Sequence, residues 1–461
     1  MNVVLISTYD LGRQPWGLAS PAAWLKPLGA SVSTVDLAVQ DLPRHTLAAA
    51  DLIAFHLPMH TATRIAASLI PQVKKINPRA HLCFYGLYAP VNEAFLRTLG
   101  AQTILGGEFE AGLAALVKRL SSGAGGECSR SAPQPEPVIS LARQQFQVPD
   151  RSGLPGLSSY AYLTIPDGER RTVGYTETSR GCKHVCRHCP IVPVYEGRFR
   201  IVQEEVVLED IRRQVERGAR HITFGDPDFL NGPKHALSVV ASLHREFPEI
   251  TYDVTIKVEH LLNHAELLPN LRDTGCLFVT SAVESFDNRV LEIFAKHHTR
   301  EDFERVVALF RTTGLALNPT FVSFTPWTSL TDYQDFLDEI VRLDLVENVS
   351  PIQYAIRLLI PAGSKLLELA EVRAHVGAFS QSDLCYPWKH EDPRVDRLYS
   401  DVLAIVKRGE CAHKTRRETF LDVWERGNRE TDAGAVALHA LGLNDAPARV
   451  TIPYLSEPWF C

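Results

Sequence analysis

The sequence predicts an α/β chain built in three parts, and three observations predict it. Residues 1–120 alternate β-rich runs with segments of helical period. The alternation stops in a Gly-, Ser- and Pro-rich stretch at 121–137 and resumes from about Thr172. Beyond about Pro361 the chain turns helical and charged. A length of 461 residues fits about three domains. The boundaries expected are 1–120, a flexible connector at 121–150, 151–360, and a helical region at 361–461.

In the first part, residues 3–7, 32–37, 52–56 and 81–85 are dense in Val, Leu, Ile and Phe, as strands are. Residues 20–28, 61–75, 93–99 and 108–120 carry helical spacing between them. Strands joined by helices run parallel, with helices on both faces. Ligands of such sheets sit at the carboxyl ends of the strands, which points to loops 7–16, 56–60, 86–90 and 106–108. The connector lacks a hydrophobic period, and Cys128 within it reads as a bystander.

The second part opens with a strand-like run before Thr178. It continues with a helix at 203–217, a strand at 221–225, a helix at 234–247, strands at 252–257 and 277–283, a helix at 299–313, and strands at 317–323 and 353–359. In a parallel barrel the working face is the carboxyl end of the strands.

Composition is that of an ordinary soluble protein, with 45 % apolar and 22 % charged residues. A net charge of −6 argues against a broad nucleic-acid footprint. No cationic segment precedes an apolar stretch at residues 1–10, and no apolar run is long enough to span a bilayer. The expectation is a cytoplasmic protein with neither a membrane nor a nucleic acid as partner.

The sharpest motif is Cys182, Cys186 and Cys189, spaced C-x3-C-x2-C directly after a strand. Three thiolates from one short loop ligate three irons of a [4Fe–4S] cube and leave the fourth open to a small molecule. The plain alternative is structural zinc with His184 or His188 as the added ligand. Zinc knuckles usually pair two separated cysteine pairs, whereas the cysteines at 83, 128, 276, 385, 411 and 461 are scattered singly. A disulfide framework fits a long chain without a secretory signal less well still.

The cysteine loop resembles the signature of the radical S-adenosylmethionine (SAM) superfamily. There the open iron chelates the amino and carboxyl groups of SAM, and the reduced cluster breaks a carbon–sulfur bond to give a 5′-deoxyadenosyl radical. The resemblance implies a partial (β/α)6 barrel for 151–360. The first part is similar to the flavodoxin-like, cobalamin-binding domains of one branch of that superfamily. The D-x-H-x-x-G histidine of those domains is missing here. The expectation is therefore set against cobalamin, although related domains can bind it without that histidine.

The same resemblance nominates cofactor-binding residues. Thr223 to Phe229 is similar to the F-x-D-D-x-F motif that accepts the SAM ammonium, with the acids at Asp226 and Asp228; the plain alternative is a helix cap. Ser281 to Ser285 resembles G-x-E-S, which offers Glu284 to the SAM ribose or amine. Lys257 and Glu259 are candidates for the SAM carboxylate and ribose, against the alternative of a surface pair. His188 stands where the family places an aromatic residue near adenine, and Arg180 and Lys183 flank the loop where they could offset cluster charge.

Residues 1–18, 178–200, 385–390 and 453–461 together resemble the CUAEP/CCAEP-tail radical SAM (seleno)proteins. In that family the C-terminal Cys is followed by selenocysteine or Cys and then Ala-Glu-Pro, which suggests translation stopped at a UGA codon after Cys461. The alternative is a natural stop. The function implied is reductive cleavage of SAM to modify an organic or thiophilic substrate, with flavodoxin or ferredoxin as reductant. The competing reading is a non-catalytic zinc or Fe–S protein for electron transfer or redox sensing.

Overall fold

Two parallel sheets meet at their carboxyl ends in the computed structural model, which describes residues 1–122, 135–166, 168–428 and 453–456. Most of the connector, Cys128 and Cys461 lie outside the described residues.

The first sheet comprises β1 (Asn2–Ser7), β2 (Ser31–Asp36), β3 (Leu52–His56), β4 (His81–Tyr85), β5 (Thr103–Gly107) and β6 (Ile139–Ser140). Its order is β2-β1-β3-β4-β5-β6 and every pairing is parallel. The order reverses between β1 and β3, so the crevice a doubly wound sheet offers to ligands opens beside Ser7 and His56. Alternate residues of one strand enter opposite cores: Val4 and Ile6 pack on one face, Val3 and Leu5 on the other. Gly106 and Gly107 belong to β5 rather than to a free loop.

The second sheet contains β7 (Tyr162–Thr164) and β8 (Arg170–Thr176). A hairpin of β9 (Ser179–Gly181) and β10 (Phe199–Ile201) follows. The sheet continues with β11 (His221–Phe224), β12 (Thr251–Thr255), β13 (Cys276–Glu284) and β14 (Ala316–Phe321), and β15 (Tyr454–Leu455) closes one edge. Strands β8 and β11 to β14 run parallel in chain order, while β7 and β15 add antiparallel edges. Capping boxes at Thr299 and Ser329 start two of the flanking helices.

The expected strand at 353–359 is where the structure differs most from the sequence reading. Pro351 opens a short 3-10 helix, Pro351–Ala355, and only a single parallel bridge, Phe324 to Arg357, extends the barrel there. Gln353 Oε1 accepts from the Phe321 amide at 2.8 Å, so a side chain satisfies backbone that a sixth strand would have paired. The helices Pro393–Cys411 and Arg416–Asn428 share the barrel core through Val395, Leu398, Phe420 and Trp424.

Candidate functional site

The cysteine loop leaves β9 through Gly181, whose φ is +72°. A Cβ there would lie 2.3 Å from the Tyr195 ring and 2.5 Å from the Arg198 carbonyl, so only glycine fits. Asn231 grips the loop: its Oδ1 accepts from the Lys183 amide at 3.1 Å and its Nδ2 donates to the Gly181 carbonyl at 3.3 Å. The Arg187 amide donates to the Phe294 carbonyl at 2.9 Å.

Cys182, Cys186 and Cys189 are all free thiols. Burial pushes Cys182 up to about 11 and Cys189 up to about 12, and the other thiols of the loop push the same way. Such a set ionises only against a strongly cationic group, which is what an iron–sulfur cluster supplies. The donor set fits the cluster.

Asp226 and Asp228 separate into different roles. Asp226, one of the two acids nominated for the SAM ammonium, accepts from Thr178 N at 2.9 Å, Thr178 Oγ1 at 2.6 Å and Ser179 Oγ at 2.6 Å. It anchors the strand that carries the cysteines, and burial pushes its carboxyl up to about 6 despite those bonds. Asp228 caps the turn at Leu230 through Oδ1. Its Oδ2 turns toward His260 and His184, whose closeness outweighs burial and holds the carboxyl low.

Lys257 Nζ and Glu259 Oε2 form a pair at 2.7 Å, and Nζ also lies 3.4 Å from His184 Nδ1. Glu284 ends β13 in a left-handed conformation, φ +72°, which costs a non-glycine residue energy and marks a constrained position. Its Oε1 lies 3.0 Å from His188 Nε2 and 3.1 Å from Lys296 Nζ. Burial alone would raise this carboxyl, but Lys296 and His188 hold it well below the usual range. His188 stacks on Phe294 with ring centroids 4.5 Å apart.

Lys296 escaped the sequence reading. It is buried, and the Glu284 carboxylate and the thiols of Cys186 and Cys189 outweigh burial to keep it protonated. Ala295 and His297 on either side have φ of +53° and +56°, so the backbone is bent to deliver it. The positive charge near the thiols thus comes from Lys296 at Cys186 and Cys189 and from Lys257 at Cys182. Arg180 points away, with its Nη1 3.0 Å from Glu110, its Nε 2.9 Å from Glu177 and its Nη1 3.4 Å from Glu108.

Between the sheets lies a cavity of about 210 Å³ lined by Asp10, Arg13, Trp16, His56, Glu177 and Arg180. The His56 ring fills the switch-point crevice: a Cβ on Gly17 would lie 2.1 Å from it. Burial pushes His56 down to about 3, with Arg180 adding to the effect, so the ring is neutral. Pockets for drug-sized ligands span about 300–1,000 Å³, so the cavity is smaller than that with the His56 ring in place.

Residues 176–326 match the Radical SAM superfamily. The segment is a radical SAM domain. Such a domain implies a [4Fe–4S] cluster and SAM as cofactors. The chain is 29 % identical over 212 residues to the tRNA-2-methylthio-N(6)-dimethylallyladenosine synthase of Desulfosudis oleivorans. It is 23 % identical over 215 residues to the ribosomal protein uS12 methylthiotransferase RimO of Clostridium perfringens. These matches cover 43 % and 41 % of this chain and 44 % and 46 % of the relatives, so the chain spans less than half the length of either.

Two solved structures share the fold over most of the chain. The radical SAM methyltransferase TsrM from Kitasatospora setae, solved with tryptophan substrate and a SAM analogue, superposes with a TM-score of 0.64 at 18 % identity, over 81 % of this chain and 77 % of that one. The cobalamin-dependent radical SAM enzyme OxsB, solved with aqua-cobalamin and SAM, superposes with a TM-score of 0.68 at 15 % identity, over 87 % and 66 %. Their likeness extends to the N-terminal sheet as well as the radical SAM domain. Among the described residues no helix is long and apolar enough to cross a membrane.

Proposed function

We propose that this chain is a radical SAM enzyme that cleaves SAM reductively and turns the product radical on an organic or thiophilic substrate held between its two sheets. The observation that carries the reading is three free thiols in one loop, close enough to oppose one another's ionisation, within a segment that matches the superfamily. The cluster, when bound and reduced, would supply the electron that breaks a carbon–sulfur bond of SAM.

The protein's share is positioning and exclusion of water. Cys182, Cys186 and Cys189 hold the metal, Asp226 and Asn231 fix the loop, and Lys296 offsets thiolate charge. Glu284, Lys257, Glu259 and His188 form the set assigned to SAM, since their polar atoms surround the loop at the strand ends. In this division residues 1–120 and 151–360 wall the substrate cavity, and 361–461 braces the barrel. The internal stretches 178–200 and 385–390 support placing the chain with the CUAEP/CCAEP-tail group.

Anaerobic reconstitution with iron and sulfide, followed by SAM and dithionite, should yield a brown protein that releases 5′-deoxyadenosine and methionine. Replacing any one of the three cysteines by alanine should abolish cluster and cleavage together. A wild type with a full cluster that leaves SAM intact, or a cysteine variant with full iron and activity, would overturn the reading.

A further inference from the structure

Beside the cysteine loop, three side chains from three strand ends converge on one point. His184 comes from the loop after β9, Asp228 from the turn after β11, and His260 from the helix Val258–Asn263 after β12. Their ligand atoms all lie within 4.8 Å of one another. His260 Nδ1 is 2.8 Å from Asp228 Oδ2, and His184 Nε2 is 3.5 Å from the same oxygen. Asp228 is 1 % exposed and His260 2 % exposed.

Two of these atoms are buried without a hydrogen bond. Asp228 Oδ2 and His260 Nδ1 approach each other, yet no N–H is aligned between them, so neither has a hydrogen-bond partner. Buried polar atoms left in this way cost about 1–3 kcal/mol each unless something else meets them. Lone pairs that crowd together without a shared proton are what a cation requires of its ligands. Two imidazoles and one carboxylate on one face, with the remaining positions open, are a donor set for iron(II) and, with a solvent ligand, for zinc.

We infer that His184, Asp228 and His260 bind a single divalent transition-metal ion of the iron–zinc class, separate from the cluster and adjacent to it. Glu259 Oε2 lies 3.6 Å from His184 Nδ1, on the side of that ring away from Nε2, where a carboxylate can take the Nδ1 proton and leave Nε2 free for the metal. Outer partners of this kind orient metal-bound histidines. An oxygen or nitrogen donor of a small molecule would complete the coordination. The competing arrangement is metal-free: His184 Nε2 and His260 Nε2 are 3.1 Å apart and could share a proton instead.

Elemental analysis of the anaerobically reconstituted full chain separates the two. We expect one equivalent of zinc or of non-cluster iron beyond the cluster iron, retained after desalting. Asp228→Asn and His260→Gln should each lose that equivalent while keeping the cluster absorption band. Because either variant could fold poorly, cobalt(II) titration of wild-type protein provides a second measurement. Tetrahedral or five-coordinate d–d bands with a one-to-one endpoint, lost on adding a chelator while the cluster band persists, support the site. A wild type that carries only cluster iron and shows no bound-cobalt spectrum overturns it. Cluster content and SAM cleavage, read on the same samples, show separately whether the radical SAM assignment stands.

Discussion

The carboxyl ends of the two sheets face each other across one small cavity, and the protein treats them in opposite ways. At the first sheet the mouth is filled by the protein itself. The His56 ring is pressed on Gly17, and Arg180, reaching over from the second sheet, is held by Glu108 and Glu110 and lies 4.1 Å from the Trp16 ring. The second sheet's mouth carries groups that a ligand can use. It keeps three free thiols, one Asp228 oxygen and one His260 nitrogen that lack hydrogen-bond partners, and left-handed backbone at Glu284, Ala295 and His297. The first mouth has unmet atoms of its own, at Ser7 Oγ, Arg13 Nε and His56 Nδ1, but its Arg180 charge is matched across the two sheets, whereas the second keeps thiols and the Asp228–His260 atoms for a ligand to meet. The first mouth therefore acts as a joint and the second as a site.

The largest test of that contrast sets two buried cations against each other. Arg180→Met leaves Glu108 and Glu110 buried without their counter-charge, and Lys296→Met does the same to Glu284. Breaking a buried pair by removing one partner costs about 3–5 kcal/mol. Both variants should lose roughly that much in urea unfolding of the cluster-free protein, with Arg180→Met at or above the upper end because it uncovers more carboxylates. Its loss should shrink at low pH, because carboxyls without the guanidinium protonate and are then easier to bury. The variants should part on reconstitution: Arg180→Met keeps its iron, and Lys296→Met takes up less. If Arg180→Met loses cluster and Lys296→Met does not, joint and site have been assigned the wrong way round.

How much of this was legible in the sequence follows from how local each feature is. Strands β1 to β4, β8 and β11 to β14 were legible because their apolar runs are contiguous, β5 and the edge strands β6, β7 and β15 were not, and the cysteine loop was legible because its ligands lie within eight consecutive positions. Asp226 and Asp228 looked equivalent because both follow a strand. Only the fold shows that one faces back to Thr178 and the other forward to His260. His260 and Lys296 were missed because each reaches the loop from a different strand end, and nothing near either residue in sequence announces a partner. The strand expected at 353–359 has the right apolar and aromatic content, but Pro351 sets a turn that content alone does not reveal.

A smaller effect should sharpen the picture of the first mouth. Gly17 lies in the helix Trp16–Leu25, where alanine would ordinarily gain about 1 kcal/mol. Here its Cβ would meet the His56 ring at 2.1 Å, and overpacking of that kind costs about 1–3 kcal/mol. Gly17→Ala should therefore destabilise the wild type slightly but stabilise a His56→Ala background. A double-mutant cycle by thermal unfolding measures the difference. If Gly17→Ala is equally tolerated in both backgrounds, the crevice is not filled by the ring.

The smallest expected effect concerns Asp10, which lines the cavity near Arg13 and Glu177. Burial pushes its carboxyl from an ordinary 3.8 up to about 7, against the pull of Arg13. An acid whose folded value exceeds its unfolded one binds its proton more tightly when folded. Its contribution therefore favours the fold at low pH and is lost as pH climbs from about 4 toward 7. Asp10 is only half-buried by exposed area, so solvent screens it and the slope should be shallow. Asp36, pushed up to about 6 by burial and itself one of the charges that raise Asp10, adds a slope of the same sign. Asp10→Asn should accordingly gain stability relative to wild type as pH rises from 5 to about 7.5, measured by urea unfolding of the cluster-free chain at each pH. A difference between the two proteins that does not change with pH would mean that Asp10 is already ionised in the fold and paired with Arg13. The cavity would then carry a fixed ion pair, and a charged substrate group would meet a preformed partner there.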